Sequence, residues 1–362
     1  MRGGSIALIG IGDLGGWILE LLVRSQGISR ILVCDLDENW GRAKVNCASI
    51  GAAFFDAYPE VIFQRLDLND VTQSAEVLSR FNPDVVVNCT TLMSWWVRQT
   101  LPQEIYKKLS VAGSGPWIPM HLTLTRKLMM ALREANLKSK TVNTSFPDGV
   151  NPALAKVGLA PTVGGGNSDL LIPRLQRVIQ KELHIPPHNI AISLIAHHFH
   201  LVSLARNGTT GGAPYFLRVM IGDRDITGEL DLDRLLPESV KDFPSGNLAH
   251  PYVASSFVKN TLYIANDAGL ITHAPGPDGL MGGWPVRLSV KGAEVILPQG
   301  VEMKQALQIV EEAQKFDGIE RIEDDGTIVI TDKAATVMRE IVGYDCKAFS
   351  LEESEGRARE LL

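Results

Sequence analysis

A glycine-rich turn near the start of the chain restricts its fold more than any other feature. The apolar run 5–9 is followed by Gly10, Gly12 and Gly15, and Asp35 ends the next apolar run, twenty residues after Gly15. The first glycine permits a tight turn, the second lets the backbone approach a pyrophosphate, and the third allows a helix to pack closely on a strand. The first turn of that helix offers free N–H groups to phosphates. The segment therefore predicts a strand, a turn and a helix that bind a dinucleotide.

The acid at position 35 bears on which dinucleotide is bound. A carboxylate there accepts hydrogen bonds from ribose hydroxyls and repels a 2′-phosphate, and Leu36 and Asp37 bring no cation. NAD is therefore favoured over NADP, although Arg42 and Lys44 in the following helix could swing towards a 2′-phosphate. The predicted cofactor-binding residues are Gly10, Gly12, Asp13, Leu14, Gly15, Asp35, Asn88 and Thr90.

Short apolar strands alternate with amphipathic helices through the first part of the chain. Further strands are predicted over 61–68, 84–88 and 141–144, and helices over 71–81 and 119–137. This alternation is typical of an α/β protein with a doubly wound parallel sheet, the Rossmann fold. The stretch 145–152 is rich in Pro, Gly, Asp and Asn and marks the domain boundary, so the dinucleotide-binding domain is predicted to cover 1–148.

The rest of the chain has a different pattern, and 362 residues exceed the size at which one core usually keeps growing. Helices are mixed with hairpins that turn at Gly222-Asp223, Lys291-Gly292 and 324–326, and a strand over 189–200 ends in histidines. This mixture predicts a second, α+β substrate domain over 149–350. The charge-rich residues 351–362 are predicted to form a solvated helical tail.

Composition excludes several classes of partner. The chain carries a formal net charge of −6 with 21% charged residues, which leaves no basic footprint for nucleic acid. No apolar stretch approaches the ~20 residues that span a bilayer, and no targeting segment precedes the first strand. Its four cysteines do not show CxxC spacing, so we expect them to be present as reduced thiols. We expect a cytoplasmic enzyme with a small-molecule substrate and neither nucleic-acid nor membrane partners.

Three runs in the second half make the chain similar to the lactate/malate dehydrogenase superfamily. They are NTSFPDGVNP from 143, GGGNSDLLIPR from 164 and IAHH from 195. In that superfamily an acid on the helix after a glycine-rich segment and a histidine at the end of a following strand form a proton relay beside the nicotinamide. The resemblance implies that Asp169 orients His197, which exchanges the proton, with His198 as its substitute if the strand face shifts by one. It also implies a homodimer or homotetramer.

The proton relay has a physical basis, because carbonyl or imine reduction needs a proton donor and histidine titrates near pH 6.5. The alternative is that Asp169 caps its helix and His197 is a core residue. His197, His198 and His200 also raise the possibility of a metal site. Strand alternation would place His197 on the face opposite the other two, so no metal is predicted.

Substrate contacts are expected from three residues. Arg98 lies on the loop after strand four, which closes over substrate in the dehydrogenases and carries an arginine there. Those enzymes place a second arginine one helical turn after the acid, where this chain has Ile172. Arg206 or His273, each within or beside a glycine-rich loop, is predicted to supply the missing anchor.

Two further resemblances leave the reaction open. The cofactor half is similar to saccharopine and opine dehydrogenases, which work through an imine, and the layout also resembles the family-four glycosidases, which retain NAD and a metal. The predicted function is therefore an NAD-dependent oxidoreductase that transfers hydride between nicotinamide and a carbonyl/alcohol or imine/amine pair of a small carboxylate-bearing substrate. The alternative is a lyase or hydrolase that retains NAD.

Overall fold

The computed structural model describes residues 3–362, and six parallel strands form its largest sheet. These strands are β1 (Gly4–Ile9), β2 (Ile28–Asp35), β3 (Glu60–Arg65), β4 (Val85–Asn88), β5 (Lys140–Asn143) and β6 (Val163–Gly164). Their spatial order is β3-β2-β1-β4-β5-β6, and every neighbouring pair is parallel. This is the doubly wound dinucleotide-binding order, so the predicted fold class is confirmed for this part of the chain.

Helices connect the strands and cover the sheet. They are α1 (Asp13–Leu22), α2 (Glu38–Ala53), α3 (Val71–Phe81), α4 (Gln103–Ser110), α5 (Ile118–Glu134) and α6 (Pro147–Ala155). β1 and β4 are buried along their whole length, which explains why they are continuous apolar runs. Asp37 caps α2 by accepting from the Trp40 N–H, and Asp70 caps α3 by accepting from the Gln73 N–H.

The parallel sheet does not end at the predicted boundary after residue 148. β6 adds a sixth strand beyond it, and the Pro- and Gly-rich stretch forms the buried helix α6 rather than a linker. Phe146 has a left-handed backbone (φ 44°), and Pro147 occupies the first turn of the helix, where its missing N–H costs no hydrogen bond. Loop composition therefore misled the sequence interpretation here.

The remaining chain contains seven helices and nine strands among the described residues. They are α7 (Leu171–Leu183), β7 (Ile190–Ile195), α8 (His198–Asn207), β8 (Phe216–Ile221), β9 (Arg224–Asp225), α9 (Leu232–Val240), α10 (His250–Ala265), β10 (Leu270–Pro275), β11 (Gly283–Ser289), β12 (Gly292–Val295), α11 (Met303–Phe316), β13 (Ile319–Ile322), β14 (Ile328–Ile330), α12 (Asp332–Val342), β15 (Ala348–Phe349) and α13 (Ser354–Leu361). Three antiparallel sheets, β7-β8-β9, β10-β11-β12 and β13-β14-β15, confirm the α+β prediction.

The histidines after β7 are in a helix, which corrects the predicted strand over 189–200. β7 ends at Ile195, and His197 is the N-cap of α8, its Nδ1 accepting from the Phe199 N–H at 3.3 Å. His198 and His200 are therefore one and three residues into a helix. The apolar run 190–195 predicted a strand correctly, but nothing in the run itself marks where the helix takes over.

The end of the chain packs against the dinucleotide-binding part instead of lying in solvent. α13 contacts α5, with Ala358 fully buried and Lys127 paired to Glu355 at 2.6 Å. Strands β13–β15 and α12 share one apolar core with α4, α5 and α6. This core fixes the position of Asp317, directly after α11. Among residues 3–362, no helix is both long and apolar enough to cross a membrane.

Candidate active site

An open cleft runs along the carboxyl edge of the parallel sheet. The glycine-rich turn forms one wall, and the segments after β2, β4 and β5 form the others. Seven of the eight predicted cofactor residues line it: Gly10, Gly12, Asp13, Leu14, Gly15, Asp35 and Thr90. Ligands of open α/β sheets bind outside this edge, where the strand order reverses.

The three glycines of the turn have distinct roles. Gly10 has φ +89°, and a Cβ added there would lie 2.8 Å from the carbonyl oxygen of Cys89. A Cβ at Gly15 would lie 2.1 Å from the Gly10 carbonyl oxygen, so Gly15 allows α1 to pack against the turn. A Cβ at Gly12 would meet no protein atom within 4 Å. The protein itself thus leaves the space beside Gly12 open, and a pyrophosphate fits there.

Asp35 ends β2 with its carboxylate at the cleft. Its Oδ2 accepts from the Ile11 N–H at 2.8 Å, which ties the acid to the glycine-rich turn. The two cations that could favour a 2′-phosphate are engaged elsewhere: Arg42 pairs with Glu38 at 2.8 Å, and the Lys44 ammonium lies 4.6 Å from the centre of the Trp40 ring. The surroundings of Asp35 therefore favour ribose hydroxyls.

Asn88 supports the cleft instead of lining it, which corrects its predicted role. Its side chain is buried and donates to Asn143 Oδ1 and Thr125 Oγ1. It accepts from the Thr90 hydroxyl at 2.7 Å. The amide thereby joins β4, β5 and α5 and holds Thr90 at the cleft.

His198 and Asp317 form a close pair near the far end of this cleft. His198 Nδ1 donates to Asp317 Oδ2 at 2.7 Å, and Asp317 Oδ1 accepts from the Ser114 N–H at 2.8 Å. Burial alone would raise the pKa of Asp317. The charge and hydrogen bond of His198, the charge of His197 and the Ser114 N–H outweigh burial and lower that pKa to about 2.

The predicted pair of Asp169 and His197 does not form. Asp169 lies on the turn before α7 and binds Lys259 of α10 at 2.8 Å, with Ser256 also donating to it. His273 is fixed in the same buried cluster, with its Nδ1 3.8 Å from Asp169, and it does not line the cleft. Burial and the charge of Lys259 lower the pKa of His273 to about 4, although the charge of Asp169 opposes them.

His197 is wholly buried and lies beside the observed pair. Its Nδ1 is 3.7 Å from Asp317 Oδ2, and its Nε2 has no hydrogen-bond partner within residues 3–362. Burial lowers its pKa. An imidazole that caps a helix and has no exposed atom is placed to hold the start of α8 rather than to meet a substrate.

Two predicted substrate residues line a second, small cavity, together with Asp317 and Phe199. Arg98 lies over the Trp117 ring at 5.1 Å, and Arg206 donates to the Tyr106 hydroxyl at 2.8 Å. Within residues 3–362, no carboxylate oxygen lies within 4.0 Å of a guanidinium nitrogen of Arg98 or Arg206. Burial and the charge of Arg206 lower the pKa of Arg98 to about 10, so Arg98 remains cationic at neutral pH.

His121 is a residue of the cleft that was not foreseen from the sequence. It lies in the first turn of α5, lines the cleft, and approaches Thr91 Oγ1 at 3.2 Å. The ring of Phe146 lies 6.2 Å from that of His121 and 5.1 Å from that of His198. Burial, followed by the charges of Arg98 and His198, lowers the pKa of His121 to about 3. A lone histidine in an amphipathic helix carried no signal of this position.

Metal ligands are not assembled in the described part of the chain, where no group of three or more His, Cys, Asp or Glu side chains could hold an ion. His200 turns away from His198 and approaches the Ala213 carbonyl oxygen at 3.3 Å. Helical geometry, rather than the strand alternation assumed from the sequence, separates these histidines.

A comparison of the sequence with protein-family models and with curated proteins found no match. Solved structures do match the fold. A lactate dehydrogenase from Eimeria maxima, solved with NADH and oxamate, is 16% identical with a TM-score of 0.61, covering 87% of this chain and 92% of that one. A malate dehydrogenase from Picrophilus torridus is 16% identical with a TM-score of 0.60, covering 87% and 96%. A malate dehydrogenase from Plasmodium falciparum, solved with NADH, is 12% identical with a TM-score of 0.58, covering 86% and 95%. At these identities the likeness shows a shared fold.

Proposed function

We propose that this protein is an NAD-dependent dehydrogenase that interconverts the hydroxy and oxo forms of a small carboxylate-bearing substrate. The observation that carries the proposal is the His198–Asp317 pair, because Asp317 lines the cavity that also holds Arg98 and Arg206, and the ring of Phe146 beside His198 directly follows Ser145 of the cleft. The shared fold with lactate and malate dehydrogenases, two of them solved with NADH, supports the oxo/hydroxy pair over an imine/amine pair.

The cleft fits NAD on its own geometry. Gly12 leaves room for the pyrophosphate, and Asp35 offers its carboxylate to ribose hydroxyls. When bound, the nicotinamide supplies or accepts the hydride. Thr144 and Ser145, which follow β5, line the same cleft and would hold the end of the dinucleotide that lies nearest Phe146.

In this proposal His198 is the residue that exchanges a proton with the substrate. Because Nδ1–H donates to Asp317, Nε2 is the ring atom free to exchange a proton with the substrate oxygen. In the reducing direction, the carbonyl carbon gains hydride while its oxygen takes the proton from Nε2, and the reverse reaction returns both. Asp317 remains ionised, fixes the tautomer and stabilises the imidazolium.

The substrate carboxylate is assigned to Arg98, with Arg206 at the mouth of the cavity. Guanidinium groups bind carboxylates through paired hydrogen bonds, and neither arginine is neutralised by an acid of the described chain. Ile172, at the position where the dehydrogenases place their second arginine, packs against the core around α7, β7 and β8. Arg206 of α8 would therefore provide the second cation from a different element.

NADH absorbance with a panel of 2-oxo acids tests the function. We expect oxidation of NADH by one class of 2-oxo acid, and a fall of about 10²–10⁴-fold in kcat for H198N. H197N is the matched comparison, because asparagine retains an N-cap acceptor for α8, and its loss should be much smaller. H188N, at an exposed site, is the surface control. Equal activity of H198N and H188N would remove His198 from the mechanism.

We also propose a cytoplasmic homodimer or homotetramer. All four cysteines are free, as expected in a reducing compartment. Large apolar side chains are exposed at the end of α2 and just after it, including Ile50, Phe54, Phe55 and Tyr58, and subunit contact would cover them. Light scattering of the purified protein measures the assembly, and a monomer at micromolar concentration would contradict it.

A further inference from the structure

The nucleotide cleft has an unusual charge balance for a site that receives a pyrophosphate. Three acids, Asp13, Asp35 and Asp67, line it, whereas no lysine or arginine is among the described residues that line it. The cofactor would add two negative phosphate charges beside Asp13. Helix N-terminal N–H groups compensate for part of this charge. The two histidines that line the cleft, His121 and His250, are the side chains there that can add a positive charge.

His121 is one of the two histidines on the cleft, but it is unsuited to carry the charge. Arg98 and His198 oppose its protonation, and its Nδ1 is at hydrogen-bond distance from Thr91 Oγ1. The other histidine is His250, the first residue of α10. It is 3% exposed, and its Nδ1 has no hydrogen-bond partner within residues 3–362.

The surroundings of His250 keep its ring neutral until an anion arrives. α10 packs against α1, and the first residues of both helices, His250 and Asp13, lie at the cleft. Burial lowers the pKa of His250, and the charge of Asp13 opposes burial only in part. The ring of Trp95 lies edge-on to His250 at 6.4 Å, and Cys89 and Thr144 line the same cleft, with burial keeping the Cys89 thiol protonated.

We infer that His250 is a ligand of the cofactor pyrophosphate and that it takes up a proton when the dinucleotide binds. The inference rests on the proposed function, because it assumes that the cleft receives NAD(H). The phosphate charges raise the affinity of the ring for its proton, and the resulting imidazolium donates to a phosphate oxygen. Cofactor binding is then coupled to pH through a residue that takes no part in hydride or proton transfer to the substrate.

Calorimetry of NADH binding in two buffers of different ionisation enthalpy at pH 7.5 measures the proton uptake directly. For the wild-type protein we expect uptake of a fraction of a proton, together with an affinity that weakens about tenfold as pH rises from 6 to 8.5. The sign follows because the ring is more basic in the complex, so binding is favoured at low pH. Adenosine, which lacks phosphates, should bind without uptake.

H250N should bind NADH about tenfold more weakly at pH 6, without uptake, and approach the wild-type affinity at pH 8.5. H188N should behave like the wild-type protein. Wild-type binding without proton uptake, or uptake that persists in H250N and disappears in H121N, would overturn the assignment of His250. Failure of the wild-type protein to bind NADH at all would overturn the proposed function as well, so the two failures are distinguishable.

Discussion

Asp317 is the single side chain on which the proposed proton exchange depends most. It is 1% exposed and ionised, with its charge matched by His198 and by the Ser114 N–H. Removing one partner of a buried pair costs about 3–5 kcal/mol, because the other partner is left buried without compensation. The same acid orients the imidazole, so stability and catalysis are linked at this residue.

The D317N variant tests that link through pH. The pKa of Asp317 is about 2 in the folded protein, below its ordinary value, so the acid contributes stability that is complete above about pH 4 and lost as pH falls towards 2. We expect D317N to be less stable than the wild-type protein at pH 7, with the difference shrinking between pH 4 and pH 2. Urea unfolding across this range measures it. A difference that is constant with pH would contradict the ionised state of Asp317.

Asp35 acts on cofactor choice through one carboxylate. D35A combined with L36R removes the repulsion of a 2′-phosphate and adds a cation for it. We expect the ratio of NADH to NADPH affinity to fall by at least tenfold, measured by cofactor fluorescence. L36R alone is the control, and it should shift the ratio less because Asp35 remains. A wild-type protein that already prefers NADPH would overturn the assignment.

At the scale of elements, neighbouring glycines of the glycine-rich turn have different roles: Gly12 leaves space for a ligand, and Gly15 allows α1 to pack. Gly12 has ordinary backbone angles (φ −62°) and faces open space, whereas Gly15 lies against the Gly10 carbonyl. The same chemical change, one added methyl group, therefore has different effects at the two positions.

G12A should fold with an unchanged melting temperature and bind NADH at least tenfold more weakly, because its methyl group occupies pyrophosphate space. G15A should lower the melting temperature, since its Cβ would lie 2.1 Å from a backbone oxygen and α1 must shift. Thermal unfolding with and without NADH separates the two effects. Equal melting temperatures for both variants would contradict this division of roles.

Element prediction succeeded where periodicity and caps agree. α3 begins and ends at the predicted residues 71 and 81, with Asp70 as its N-cap and Asn82 left-handed at its C-terminus. It failed after β7, because an apolar run does not reveal that His197 will cap a helix. It failed again at 145–152, where Pro and Gly compose a buried helix.

At the scale of the whole molecule, the C-terminal segment closes the active site from a distance in sequence. Its strands and helices share a core with α4–α6, and this packing carries Asp317 to His198, which lies 119 residues earlier. The segment was predicted to end in a solvated tail, yet Ala358 of α13 is fully buried against α5.

A358D tests whether α13 is part of the folded core. A charge buried without a partner should cost more than about 2 kcal/mol and lower the melting temperature by several degrees. E355A removes only the partly exposed pairs with Lys127 and Arg359, so its cost should stay below about 1 kcal/mol. Equal effects of the two variants would indicate that α13 does not pack as described.

The sequence by itself determined the dinucleotide-binding half, because strand, turn, helix and terminal acid are local features within about thirty residues. It also identified Arg98, Arg206 and His198 as residues of interest. Only the tertiary structure decided which side chains pair. Asp169, the predicted partner of a histidine, binds Lys259, and it is Asp317 that pairs with His198. Side-chain pairing across 119 residues depends on how separate elements pack, and neither periodicity nor motif spacing encodes that geometry.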